Sequence, residues 1–197
     1  MERTTKIVIA LASIIGIGLS VFLILKARKK SGSKSNNSQV DTSKNFIIGD
    51  SQTPLLDRNS QKALRIGEEG SEANLWKGGK SLSWLKDAVD NYQETKDVNS
   101  IIINIGTNGG FNASENIQGL VNSVKSKFPN AKIFAVKGSW GWGGNKNVTQ
   151  SKVDAYYEKF RQLGVELIPT AIGVTNDPHT NLPVYAQIGS EIDARIG

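Results

Sequence analysis

The sequence predicts a doubly wound parallel α/β domain, a flavodoxin-like three-layer α/β/α sandwich, preceded by one transmembrane helix. Three observations carry that expectation. Short β-branched runs recur along residues 44–197, amphipathic helical stretches fill the gaps between them, and residues 7–25 form one unbroken apolar segment. Strand and helix alternating at this spacing favour a parallel sheet covered on both faces.

The appendage comes first. Ile7 to Leu25 reads IVIALASIIGIGLSVFLIL, nineteen residues without a charge. At helical rise that is roughly 28 Å, close to the ~30 Å hydrocarbon core of a bilayer. A cleaved signal peptide would have a shorter apolar region and a small-residue cleavage site. Here the run ends in Lys-Ala-Arg-Lys-Lys, so residues 1–30 are expected to be an uncleaved anchor with a basic flank, and the lipid bilayer its partner. Residues 31–43 (SGSKSNNSQVDTS) are polar and aperiodic, as expected of a flexible tether.

A chain of 197 residues leaves room for one further domain, and its 38% hydrophobic content suffices for a core. There is no cysteine, which excludes disulfides and thiolate metal sites. The net charge of +6 is concentrated in residues 1–43, where seven Lys/Arg face Glu2 and Asp41. The domain at 44–197 keeps 17 basic and 16 acidic side chains, a balance of +1. No basic patch on the folded part points to nucleic acid.

Within the domain, Phe46-Ile47-Ile48 reads as a short buried strand that stops at Gly49-Asp50. Ser100 to Ile105 is β-branched almost throughout, as a parallel strand covered on both faces should be. Lys132 to Val136 and Val165 to Ile168 are two more, and Ala63 to Ile66 a weaker fifth. Ser81 to Tyr92 places Leu82, Leu85, Ala88 and Val89 on one helical face. Ser114 to Phe128 does the same with Ile117, Leu120, Val121 and Val124, and Ser114 suits an N-cap. Thr149 to Leu163 and Tyr185 to Ile196 complete the helices.

In such a sheet, ligands bind beyond the carboxyl ends of the strands. The loops there carry the chemistry. Gly49-Asp50-Ser51-Gln52 would hold a serine on a tight strand-to-helix turn, its hydroxyl exposed among backbone N–H groups. Gly106-Thr107-Asn108-Gly109-Gly110 offers an amide with two N–H donors suited to an oxyanion, or else a plain turn in which Asn108 accepts left-handed backbone. Gly78-Gly79-Lys80-Ser81 looks like the end of a phosphate-binding loop. The glycine required earlier in that motif is replaced by Asn74 and no strand precedes it, so that reading fails. The last loop, Asn176-Asp177-Pro178-His179, contains the only histidine.

These blocks, in this order, resemble the SGNH hydrolase superfamily of GDSL-like lipases and acylhydrolases. The resemblance covers residues 45–197. Gly49-Asp50-Ser51 looks like the first block, Gly79 the second, Gly106-Thr107-Asn108 the third and His179 the fifth. It implies a Ser51 nucleophile, a His179 base, and an oxyanion hole from the N–H groups of Ser51 and Gly79 and the Asn108 amide. No metal or organic cofactor is implied. Two positions depart from the pattern. Gly109 stands where Asp usually follows the Asn, and Asn176 stands three residues before the histidine, where the acid usually lies. Asp177 is the nearest carboxylate to orient His179; a backbone carbonyl holding the ring would leave a Ser–His dyad.

Gly138-Ser139-Trp140-Gly141-Trp142-Gly143 follows a strand and should border the same mouth. Trp140 and Trp142 either stack on a sugar ring, making the substrate an acylated glycan, or pack over their own loop. The expected function is a membrane-anchored serine esterase acting on short-chain, chiefly acetyl, esters. The competing class is an inactive SGNH-fold binding or structural module of an envelope or virion membrane, which the departures at Asn176 and Gly109 favour. A bilayer lipase would need an apolar lid, and none is evident. Membrane orientation is contested by two expectations. Lys26, Arg28, Lys29 and Lys30 outweigh Arg3, Lys6 and the terminal amine, which places the domain in the cytoplasm. Glycan substrates place it outside.

Overall fold

Apolar side chains that alternate along a strand must be covered on both faces, and the fold follows from that requirement. The computed structural model describes residues 44–94, 97–138, 147–170, 179 and 182–196, all within the compact unit Val40–Gly197. The predicted anchor and tether, residues 1–43, lie outside the described residues. Among the described residues no helix is long and apolar enough to cross a membrane.

The elements run β1 (Asn45–Gly49), α1 (Thr53–Asn59), β2 (Leu64–Arg65), α2 (Leu82–Asn91), β3 (Ser100–Asn104), α3 (Ile117–Lys127), β4 (Lys132–Val136), α4 (Gln150–Gln162), β5 (Glu166–Ile168) and α5 (Leu182–Arg195). All strand pairs are parallel, in the order β2-β1-β3-β4-β5. That is the flavodoxin-like order, whose switch point lies between β1 and β3. Every residue of β1 and β3 is buried, and the two strands pair in register from Asn45 opposite Ser100 to Gly49 opposite Asn104.

Strand alternation divides the core in two. Phe46, Ile48, Ile101, Ile103, Ile133 and Ala135 face the layer formed by α2, α3 and α4. Ile47, Ile102, Phe134, Val136 and Ile168 face Leu56 of α1 and Tyr185, Ile188 and Ile192 of α5.

The structure differs from the sequence expectation at several boundaries. Seven-residue α1 was not predicted; Pro54 at its start and adjacent Leu55 and Leu56 give no helical period. The helix expected from Ser114 begins at Ile117, capped by Asn116, whose side chain accepts from the Gly119 N–H at 2.9 Å. Ser114 instead gives its N–H to the Asn112 side chain at 3.0 Å, closing a turn ahead of the helix. The expected strand at 63–66 contracts to Leu64–Arg65, and the last helix begins at Leu182 rather than Tyr185.

Candidate active site

The turn after β1 is held from both sides. The Gly49 N–H donates to the Leu75 carbonyl at 2.9 Å, the Lys77 N–H to the Gly49 carbonyl at 3.1 Å, and the Asp50 N–H to the Asn104 carbonyl at 3.0 Å. Gly49 has φ +150°, and a Cβ there would overlap the Asn104 carbonyl, so only glycine lets the strands approach this closely. Asp50 is buried beneath the turn. Its Oδ1 accepts from the Gln52 N–H at 3.0 Å and the Asn104 amide at 3.3 Å, which fixes the backbone on either side of Ser51. Burial pushes the Asp50 carboxyl up to about 7, opposed by the Gln52 N–H and by nearby His179. Its Oδ2 is buried with no hydrogen-bond partner among the described residues.

Ser51 is half-buried at the entrance to α1, and its Oγ lies 2.6 Å from His179 Nε2. The two residues are 128 positions apart in the chain. Because α1 and α5 pack together, the segments that carry them converge at the carboxyl end of the sheet. Asp177, Asn176, Trp140 and Trp142 lie outside the described residues.

On the other side of Ser51, Gly78 packs against the serine: a Cβ at position 78 would come within 3.7 Å of the Ser51 Cβ. Gly79 follows with φ +71° and open space around it. Neither the Ser51 nor the Gly79 N–H has a hydrogen-bond partner among the described residues. Asn108 sits in a 3₁₀ turn, Thr107–Gly109, and its backbone is not in the left-handed conformation that a plain turn there was expected to use. Its side-chain amide donates to the Lys80 carbonyl at 3.1 Å, tying this loop to the Gly79 segment. An amide nitrogen carries two N–H groups, so a second donor stays available at this exposed position. Next to it, a cavity of about 560 Å³ opens between Gly109–Ser114 and the start of α4, lined in part by Asn147, Val148 and Lys152.

Sequence reasoning missed the polar residues beneath the site. Asn104, at the end of the SIIIN strand, is buried and bonds Asp50. Gln52 donates its side-chain amide to Thr107 Oγ1 at 3.0 Å and accepts from the Tyr185 hydroxyl at 3.2 Å. The available signal was a polar residue closing an apolar strand, because a buried amide there requires a partner. Among the described residues, no group of three or more His, Asp or Glu side chains is arranged to hold a metal ion.

This is a three-layer α/β/α domain with a serine and a histidine in contact at the switch point of its sheet. The same fold is found in solved structures of GDSL-type lipolytic proteins. A member of the lipolytic protein G-D-S-L family from Veillonella parvula matches at TM-score 0.51 and 12% identity, over 76% of this chain and 97% of that one. A protein assigned to the lipolytic G-D-S-L family, from Desulfitobacterium hafniense DCB-2, matches at TM-score 0.54 and 13% identity, over 77% and 98%. A Streptococcus pneumonia protein assigned as a platelet activating factor matches at 0.54 and 16% identity, over 93% and 99%. No protein-family model and no curated protein sequence matches the chain.

Proposed function

We propose that the chain is a membrane-anchored serine esterase that hydrolyses short-chain, chiefly acetyl, esters on a glycan. The observation that carries this reading is the 2.6 Å contact between Ser51 Oγ and His179 Nε2. With Nε2 unprotonated, the serine hydroxyl donates to it, which is the ground-state geometry of a nucleophile and its general base.

In the proposed reaction, His179 takes the Ser51 proton as Oγ bonds to the ester carbonyl carbon. The carbonyl π electrons move to oxygen, and the oxyanion is received by the N–H groups of Ser51 and Gly79 and the second N–H of Asn108. Collapse breaks the ester C–O bond, and the alkoxide leaves with the proton from His179. Water then attacks the acyl-enzyme by the same route, releasing the acid and restoring Ser51. Asp177 orients His179 in this reading, and Trp140 and Trp142 stack on the sugar. No cofactor takes part. Residues 7–25 anchor the chain in the bilayer as a single pass, and residues 31–43 let the domain reach substrate away from it.

The test uses the full-length chain in detergent, with p-nitrophenyl acetate set against longer acyl esters. Acetyl turnover that falls by about 10⁴-fold or more in Ser51→Ala supports the reading. A folded protein without Ser51-dependent turnover overturns it in favour of a binding module on the same scaffold.

A further inference from the structure

Serine and histidine belong to segments that pack on one face of the sheet, while Asn108 enters from the other, so something must hold the three in register. We propose that Gln52 is that positioning residue: its side-chain amide bridges the Asn108 loop and α5 directly behind the nucleophile. The proposal rests on the Ser51–His179 reading above.

Gln52 is only 8% exposed, and every polar group it carries is engaged. Its N–H donates to Asp50 Oδ1, and its carbonyl accepts from the Leu55 and Leu56 N–H groups at 3.0 and 3.1 Å, starting α1. Its side-chain Nε2 donates to Thr107 Oγ1 at 3.0 Å, and its Oε1 accepts from the Tyr185 hydroxyl at 3.2 Å. Thr107 is buried and immediately precedes Asn108; Tyr185 is fully buried in α5, six positions after His179.

The carboxamide is suited to this place. It is one rigid plane with a donor end and an acceptor end, and each end meets a hydroxyl from a different element. Turning it over would set its acceptor against Thr107 and its donor against Tyr185, so the two hydroxyls would have to reverse their roles together. A displacement of the Asn108 loop or of α5 is therefore resisted by the residue adjoining Ser51. Preorganisation of this kind matters because misplacing a catalytic group by about 1 Å costs on the order of 10²-fold in rate.

Gln52→Leu keeps the volume and removes both bonds; Thr107→Val and Tyr185→Phe each remove one. In the full-length chain, Gln52→Leu is expected to lower kcat for p-nitrophenyl acetate by about 10²-fold with KM nearly unchanged. Thr107→Val and Tyr185→Phe should each lose less, and neither should add to the loss when combined with Gln52→Leu. Wild-type kcat in a folded Gln52→Leu variant, or losses that multiply, would overturn the proposal. Should Gln52→Leu fail to fold, the Thr107→Val/Tyr185→Phe cycle decides: coupling supports a bridge and independent losses refute it.

A readout without catalysis separates this proposal from the esterase reading. His179 is the only histidine, so its ring signals stand alone in an NMR spectrum. Ser51→Ala should shift them in the wild-type background and shift them far less in the Gln52→Leu background. Equal shifts in both refute the bridge, whatever the protein hydrolyses.

Discussion

On one face of the sheet three helices, α2, α3 and α4, bury a broad apolar layer that includes Phe46, Ile101, Leu120, Tyr156 and Phe160. On the other, among the described residues, α1 and α5 cover a smaller layer around Ile47, Ile102 and Phe134. The candidate chemistry is split along the same line. Ser51 leads into α1 and His179 precedes α5, on the thin face. Gly79 precedes α2 and Asn108 precedes α3, on the thick one. The contacting pair Ser51 and His179 thus depends on the packing of two helices, whereas the candidate oxyanion donors are backed by three. The difference teaches that stability and catalysis should respond differently to damage on the two faces.

The severest break should come at Gly189. A Cβ there would overlap the Asn59 carbonyl, a backbone atom that no rotamer change can move. Gly189→Val is expected to force α1 and α5 apart, at or beyond about 3 kcal/mol, the upper range for overpacking. Cooperative melting and ester turnover should fall together.

A matched pair sharpens the comparison. Ile192→Ala on α5 and Leu120→Ala on α3 both empty fully buried sites, and each should cost about 2–5 kcal/mol in urea unfolding. At a temperature where both variants stay folded, Ile192→Ala should slow the labelling of Ser51 by a fluorophosphonate, and Leu120→Ala should not. Equal slowing would dissolve the division of labour.

Asn108→Ala probes the thick-face side of the site alone. A lost oxyanion donor predicts a kcat lower by about 10²–10³-fold, with the melting temperature close to that of wild type. An unchanged kcat would remove Asn108 from the reaction.

The last effect concerns Asp50, beneath both. Its carboxyl is raised to about 7 by burial, so between the ordinary carboxylate value of 3.8 and about 7 the folded state holds a proton that the unfolded state has released. The associated stability is full below the unfolded value, declines as pH rises through that window and is gone above it. Asp50→Asn should flatten this decline, so its stability advantage over wild type grows from acid to neutral pH. Urea titrations on either side of the window measure it, and a parallel pH dependence in the two proteins would reject the assignment.

What the sequence revealed follows the same physics. Strands β1, β3 and β4 were legible because β-branched runs bounded by Gly, Asn or Lys have few alternatives in a parallel sheet. Helices α2, α3 and α4 were legible because each offers an apolar face at helical spacing. Helix α1 was not, since seven residues beginning Thr-Pro-Leu-Leu are too short for a period and gain their order from α5 and the sheet. The N-cap of α3 was misplaced because Asn112, Ser114 and Asn116 are all capping types, and only the closed Asn112 turn decides among them. Ser51, Asn108 and His179 were picked out by their place in strand-following loops. Gln52 was not, because its partners lie 55 and 133 residues away, and neither composition nor period records such a meeting.

One consequence follows from where the chain enters β1. The strand begins at Asn45 at the amino end of the sheet, and Ser51 follows its carboxyl end, so five residues of extended chain, about 16 Å, lie between entry and Ser51. A bead, sensor surface or fluorescent partner coupled just before Lys44 would therefore be attached at the pole away from Ser51. The domain can be immobilised by that end with the carboxyl end of its sheet turned toward the solution.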